Sequence, residues 1–178
     1  RITGDRSGEE AVAHELAHQW FGDLVTSKHW GELWMNEGFS TYLAMYYYEA
    51  KNENGDKLSN FDWWRAGYFD EARTSVHPLS WPTPIIGDIF DSHAYEKGAM
   101  VIHLMRRIAN GTSRTKWGRE PFTAALQIYL QHQGRGNGTS QHLQAALEQA
   151  TGQSWQLFFD QWVRSPGHPV LKVQEQRD

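Results

Sequence analysis

The stretch Ser7-Gly8-Glu9-Glu10-Ala11-Val12-Ala13-His14-Glu15-Leu16-Ala17-His18-Gln19-Trp20-Phe21-Gly22 decides how the rest of this sequence is read. Ser7 and Glu10 stand three residues apart, the spacing at which a hydroxyl accepts from a free amide of a helix start while a carboxylate reaches back, so a helix is predicted from about Gly8. Val12, Leu16 and Trp20 recur every fourth residue, and Gly22 predicts the end. On such a helix His14 and His18 lie about one turn, ~5.4 Å, apart on one face. That placing lets both imidazoles chelate one ion. Two exposed histidines on a solvated helix would leave the crowd of Leu16, Ala17, Trp20 and Phe21 unexplained.

A catalytic zinc takes three protein ligands and keeps a fourth position open for water. The sequence holds no cysteine, so a metal must sit on nitrogen and oxygen. The candidate third ligand is Glu37, separated from His18 by 18 intervening residues, in Asn36-Glu37-Gly38-Phe39. Asn36 predicts the cap of a second helix, with Glu37 in its first turn, where the helix dipole favours a carboxylate even without a metal.

Outward from these two helices the pattern stays helical. Phe39, Leu43 and Tyr46 give the second helix one apolar face, Asn52 to Lys57 reads as a turn, and Phe61, Trp64 and Tyr68 predict a third helix. His77-Pro78, Trp81-Pro82 and Thr83-Pro84 exclude helix and predict a loop. A fourth helix is predicted from about Ala94 to Ala109. A fifth carries Phe122, Ala125, Leu126, Tyr129 and Leu130, and Gly134 to Gly138 breaks the chain. Thr139 or Ser140 caps a sixth with Leu143, Leu147 and Ala150. Trp155, Phe158, Phe159, Trp162 and Val163 predict a seventh, ended by Pro166 and Gly167. Thr26 to Gly31 reads as loop, and Pro169 to Val173 as the possible start of a strand. The expected class is therefore mainly α, with about seven amphipathic helices and little strand.

Length and charge narrow the function. At 178 residues the chain can bury a substantial core as one domain. Its 17 Lys and Arg against 21 Asp and Glu supply no basic field for nucleic acid or an anionic membrane. No apolar run approaches the ~20 residues of a membrane span, and Arg1 to Glu10 is polar rather than signal-like, so a soluble chain is expected, in a compartment the sequence does not name. Nine Trp at helical spacings read as packing material.

His14-Glu15-Leu16-Ala17-His18-Gln19-Trp20-Phe21-Gly22-Asp23-Leu24-Val25-Thr26, followed by Leu33-Trp34-Met35-Asn36-Glu37-Gly38-Phe39, resembles the aminopeptidase N family of gluzincin zinc metallopeptidases. The resemblance implies one Zn2+ per chain on His14, His18 and Glu37, peptide substrates, and Glu15 as the base that activates a zinc-bound water. Ala94-Tyr95-Glu96-Lys97-Gly98-Ala99 resembles the segment of the catalytic tyrosine, which gives Tyr95 the oxyanion. Without the match, Tyr95 would read as a packed aromatic at a helix start. His93 and His103 could be mistaken for ligands, but His103 shares a helix with Val101 and Leu104 and reads as a packing residue. His29, His77, His132, His142 and His168 are expected in loops or on polar faces without ligand spacing, and Asn36 and Asp23 are candidates to orient the histidines.

The resemblance further implies the helical half of a thermolysin-like catalytic domain over residues 1–168, with 169–178 a tail that could begin a following β domain. The family's amino-terminal β domain and β half of the catalytic domain, with the GAMEN sequence that helps hold the substrate amine, would precede Arg1. That missing half is expected to pack on exposed apolar faces of these helices. Where many members carry an acidic residue seven positions after the zinc glutamate, this sequence has Ala44. Hydrolysis of peptide bonds, aminopeptidase type, is the leading expectation. A zinc-stabilised helical fragment with little activity, and an epoxide hydrolase related to leukotriene hydrolase, are the alternatives. A thermolysin-like endopeptidase fits the segment around Tyr95 less well.

Overall fold

The computed structural model describes residues 8–51, 57–82, 88–111 and 120–170, with 172 and 174. Among these residues the elements run α1 (Glu9–Ala17), β1 (Val25–Ser27), a 3-10 turn (Trp30–Glu32), α2 (Leu33–Lys51), α3 (Lys57–Glu71), a π turn (His93–Lys97), α4 (Gly98–Asn110), α5 (Pro121–Gln133), β2 (Gly136–Gly138), α6 (Ser140–Thr151) and α7 (Gln156–Trp162). The mainly α class and the seven helices are as expected. The predicted cap Ser7 and the Pro84 break lie outside the described residues.

Several boundaries shift for local reasons. Helix α1 stops at Ala17 rather than Gly22, although His18 keeps helical dihedrals and stays on the face of His14. Gly22 then adopts φ +149°, and its amide donates to the Val25 carbonyl. Helix α2 begins at Leu33, not Asn36, because the 3-10 turn Trp30–Glu32, buried at Gly31 and Glu32, runs straight into it. Glu37 thus sits in the second turn, away from the amides that the dipole argument used. The fourth helix opens with a π turn before Gly98. Helix α7 ends at Trp162, before Pro166. Thr139 caps α6, its side chain accepting from the amide of His142.

The segments read as loops at Thr26–Ser27 and Gly136–Gly138 instead pair as two short parallel strands, Val25 opposite Gly136 and Ser27 opposite Gly138. Three residues each, one of them Gly-Asn-Gly, carry too little alternation to announce a strand. Pro169 and Val170 form no strand, and Leu171 and Val173 lie outside the described residues.

The core gathers one face of each long helix. Phe39, Ile102, Met105, Leu143, Leu147 and Phe159 are fully enclosed, each such side chain worth roughly 1.5–3 kcal/mol on burial. Phe21 stacks on Phe39 with ring centroids 4.1 Å apart. Polar clamps join what sequence separates. Buried Glu32 accepts from Trp34 Nε1 at 3.3 Å, Ser80 Oγ at 3.1 Å and Ser140 Oγ, tying α2 to the loop after α3 and to α6. Arg106 of α4 grips Glu120 with Nε and Nη2 at 3.2 and 3.1 Å, at the start of α5.

The contact that matters most for the site is between two glycines. A Cβ on Gly38 would meet Gly98 Cα at 3.0 Å and the Ala94 carbonyl oxygen at 3.1 Å, and one on Gly98 would meet Gly38 Cα at 3.0 Å. Helix α2 and the π turn entering α4 therefore touch backbone to backbone, one residue after Glu37 and three after Tyr95.

Candidate metal and catalytic site

Helix α1 presents His14 and His18 toward α2, which presents Glu37. The three donor atoms form a nearly equilateral triangle: His14 Nε2 to His18 Nε2 is 3.1 Å, His14 Nε2 to Glu37 Oε2 is 3.3 Å, and His18 Nε2 to Glu37 Oε2 is 3.4 Å. A tetrahedral site with ~2.0–2.1 Å zinc bonds has edges of about 3.4 Å, so the donor set fits such an ion. The imidazole planes cross at 78°, which lets their in-plane lone pairs converge.

The other ring nitrogens are held from behind. His18 Nδ1 lies 3.0 Å from the Phe21 carbonyl oxygen and 3.0 Å from Ser40 Oγ, and His14 Nδ1 lies 3.4 Å from Thr41 Oγ1. Such partners fix tautomer and ring orientation and leave Nε2 for a metal. Ser40 and Thr41 were not singled out in the sequence, though they sit three and four residues after Glu37 on its own helix face, the offset that would have found them. Asn36 does something else, accepting from Ser27 Oγ at 2.8 Å. Ala44, where the family pattern suggests an acid, is buried.

Burial alone would raise the carboxyl of Glu37, but hydrogen bonds from His14 and His18 outweigh it and hold it down at about 2. The same bond to Glu37 raises His18 against the lowering effect of burial. Glu15 is exposed, and its charge reaches both His18 and Tyr95. The ring of Tyr95 lies parallel to that of His14, centroids 6.1 Å apart. Burial, then the Glu37 carboxylate, pushes the Tyr95 phenol upward, so it stays protonated as a hydrogen-bond donor. His14, His18, Glu37 and Tyr95 thus gather where α1 meets α2, with Glu15 near enough for its charge to act on His18 and Tyr95.

His103 packs edge-on against Phe61 and Tyr42 with centroids 5.4 and 6.0 Å apart, as a packing residue should. His77 lies in irregular chain, as expected, but is half-buried. Its Nε2 donates to Asp91 Oδ2 at 2.6 Å and its Nδ1 to the Pro78 carbonyl oxygen at 2.7 Å, and its ring stacks on fully buried His93 at 4.1 Å. Two donating nitrogens make it an imidazolium: burial would lower its pKa, and the bonds to Asp91 and Pro78 raise it. His93 is driven the other way, by burial and by the His77 charge, and stays neutral. The remaining oxygen of Asp91 accepts from the amides of His93 and Ala94 at 3.1 and 3.0 Å, anchoring the π turn that carries Tyr95.

The model of the peptidase family M1 domain matches residues 2–162. Aminopeptidase 2 of Candida albicans is 33% identical over 172 residues, covering 93% of this chain and 18% of that protein. Aminopeptidase M1-B of Oryza sativa subsp. japonica is 34% identical over 164 residues, 90% of this chain and 18% of its own. A tricorn protease-interacting factor of Thermoplasma acidophilum is 31% identical over 91% of this chain and 20% of its length. This chain therefore spans about a fifth of the curated relatives it matches. Among solved structures, an M1 zinc metallopeptidase from Deinococcus radiodurans superposes with TM-score 0.72 at 26% identity, covering 95% of this chain and 35% of that one. A mutant of that enzyme, bound to a Tyr-Ser-Ala substrate, matches equally well at 27% identity. The matched length and the placing of the motifs within it make this chain a member of peptidase family M1.

Proposed function

We propose that this chain carries the zinc site and the hydrolytic chemistry of an aminopeptidase, with His14, His18 and Glu37 holding one zinc ion. The observation that supports it is the 3.1–3.4 Å triangle of donor atoms, with each imidazole fixed through its other nitrogen. When bound there, zinc supplies a Lewis acid and makes water nucleophilic near neutral pH. Glu15, on the helix between the two histidines, takes the proton from the attacking water and delivers it to the leaving amine. Tyr95 donates its phenolic hydrogen to the oxygen that gains negative charge as the carbonyl is attacked. Substrates are peptides, in keeping with the tripeptide on the Deinococcus relative.

Residues 1–168 form the helical half of the catalytic domain in this reading, and a second half packs against it. Val12 and Leu16, 68% and 58% exposed on the outer face of α1, offer the apolar surface for that contact. Groups that hold the substrate's free amine belong to that half, so the chain alone should cleave blocked and free peptides comparably.

Zinc titration followed by cleavage of amino-acyl and amino-terminally blocked reporters tests the proposal. One equivalent of zinc and metal-dependent cleavage that Glu15→Ala removes are expected. Failure to bind stoichiometric zinc overturns the site assignment. Stoichiometric zinc with equal background rates in the chain and Glu15→Ala identifies a zinc-stabilised helical module instead.

A further inference from the structure

Tyr95 stands on a turn that packing leaves open on one side. An open cleft of about 530 Å³ is bordered by Tyr95, Asp91, Ser92 and Glu96 and by Gly67 and Glu71 of α3. Toward that cleft the turn faces space rather than side chains, so the place of the phenol depends on how the turn is tied at its two ends. The later end is tied by the contact between Gly38 and Gly98. The earlier end is tied by hydrogen bonds.

The first amides of a helical segment have no partner within it. Ser92 occupies the cap position of the π turn, but its side chain makes no cap bond and turns to Glu96 instead. Asp91, one residue earlier, supplies the acceptors. Its Oδ1 takes the amides of His93 and Ala94 at 3.1 and 3.0 Å, and its backbone carbonyl takes the amide of Tyr95 at 3.2 Å. One residue thus holds three successive amides, the last of them that of Tyr95.

Asp91 is in turn aimed from the loop after α3. Its Oδ2 accepts from His77 Nε2 at 2.6 Å, and the other nitrogen of that ring donates to the Pro78 carbonyl oxygen at 2.7 Å. The rings of Trp81 and His93 pack on the imidazole, centroids 4.5 and 4.1 Å away. Only 12% and 11% of the His77 and Asp91 side chains are exposed, and a short charge-assisted bond between groups so enclosed fixes direction as well as distance.

We propose that Asp91 is a positioning residue for the hydrolytic reaction and His77 the clamp that aims it, the pair acting only through the placing of Tyr95. The inference rests on the reading of Tyr95 as the oxyanion donor. Neither residue belongs to the donor triangle, so zinc binding does not require them. The phenol meets charge that develops only as the carbonyl is attacked, so displacing it lowers kcat and leaves KM in place. A misplacement of ~1 Å can cost on the order of 10² in rate.

A double-mutant cycle on the zinc-loaded protein tests the assignment, with kcat and KM measured on an amino-acyl reporter. Asp91→Ala should lower kcat at least about tenfold, and by no more than Tyr95→Phe does, with KM and zinc content unchanged. In the Tyr95→Phe background the same substitution should cost less than about twofold, because its target is gone. His77→Ala should repeat the pattern with a smaller first loss, and it carries the test if Asp91→Ala does not fold. In NMR spectra of isotope-labelled tyrosine, the Tyr95 signal, identified by its absence from Tyr95→Phe, should shift in both variants. Equal losses in the two backgrounds, an unchanged kcat or an unmoved Tyr95 signal overturns the positioning pair and leaves the oxyanion reading intact. A silent Tyr95→Phe, or a chain without cleavage, removes the oxyanion reading and this inference with it.

Discussion

At His14, His18 and Glu37 two imidazole planes cross at 78° and three donor atoms close a triangle. At His77, Asp91 and His93 two imidazoles and a carboxylate also gather, with donor atoms within 4.8 Å, yet the two rings lie face to face, 24° from parallel. In-plane lone pairs on stacked rings run side by side and cannot meet on one ion. The second cluster resolves its charge internally, one histidine protonated against Asp91 and one neutral. Composition and proximity thus do not define a metal site. The direction of the lone pairs does, together with what holds the nitrogens behind them.

The sharpest way to break this comparison is to remove one histidine from each cluster. His18→Ala should abolish stoichiometric zinc binding, whereas His77→Ala should leave one equivalent bound, as read by metal analysis after dialysis. Equal zinc loss in both would merge the clusters into one function. Next in size, Glu15→Gln should keep zinc but lower metal-dependent cleavage by about 10² to 10⁴, the usual contribution of a positioned base. Tyr95→Phe should cost about 10² to 10³ through the missing oxyanion donor, again with zinc retained.

Acid and base should separate the clusters more gently. His77 is raised in the fold, so its contribution to stability is complete below about pH 6.5 and is lost as pH climbs through the raised value. Asp91 is lowered, so its contribution is present above about 3.8 and is lost as pH falls through the lowered value. His77→Gln should therefore flatten the stability profile above pH 6.5, measured as melting temperature against pH on the zinc-loaded protein. A profile unchanged by the substitution would remove the imidazolium assignment.

The difference in legibility follows from the same geometry. His14 and His18 share one helical run, where a count of residues is also a direction in space, and the need for a third ligand together with the family resemblance pointed to Glu37 on the next helix. Ser40 and Thr41 obeyed that rule and could have been read. His77 and Asp91 belong to irregular segments on either side of three X-Pro bonds, where sequence distance carries no direction, and nothing announced their meeting. The π turn escaped for a related reason: Ala94 to Ala109 has one apolar period, and a single wide turn at its start does not alter it. Strand pairing at Gly136 to Gly138 depended on a neighbour over a hundred positions away.

The touching glycines have a kinetic consequence. The three proposed ligands span 23 positions, a short loop that closes cheaply. Tyr95 lies 58 positions beyond Glu37 and reaches the site only when Gly38 and Gly98 meet without side chains between them. Assembly of this site should therefore occur in two steps, a metal trap that forms early and a phenol that arrives late. Gly98→Ala would delay the second step and spare the first.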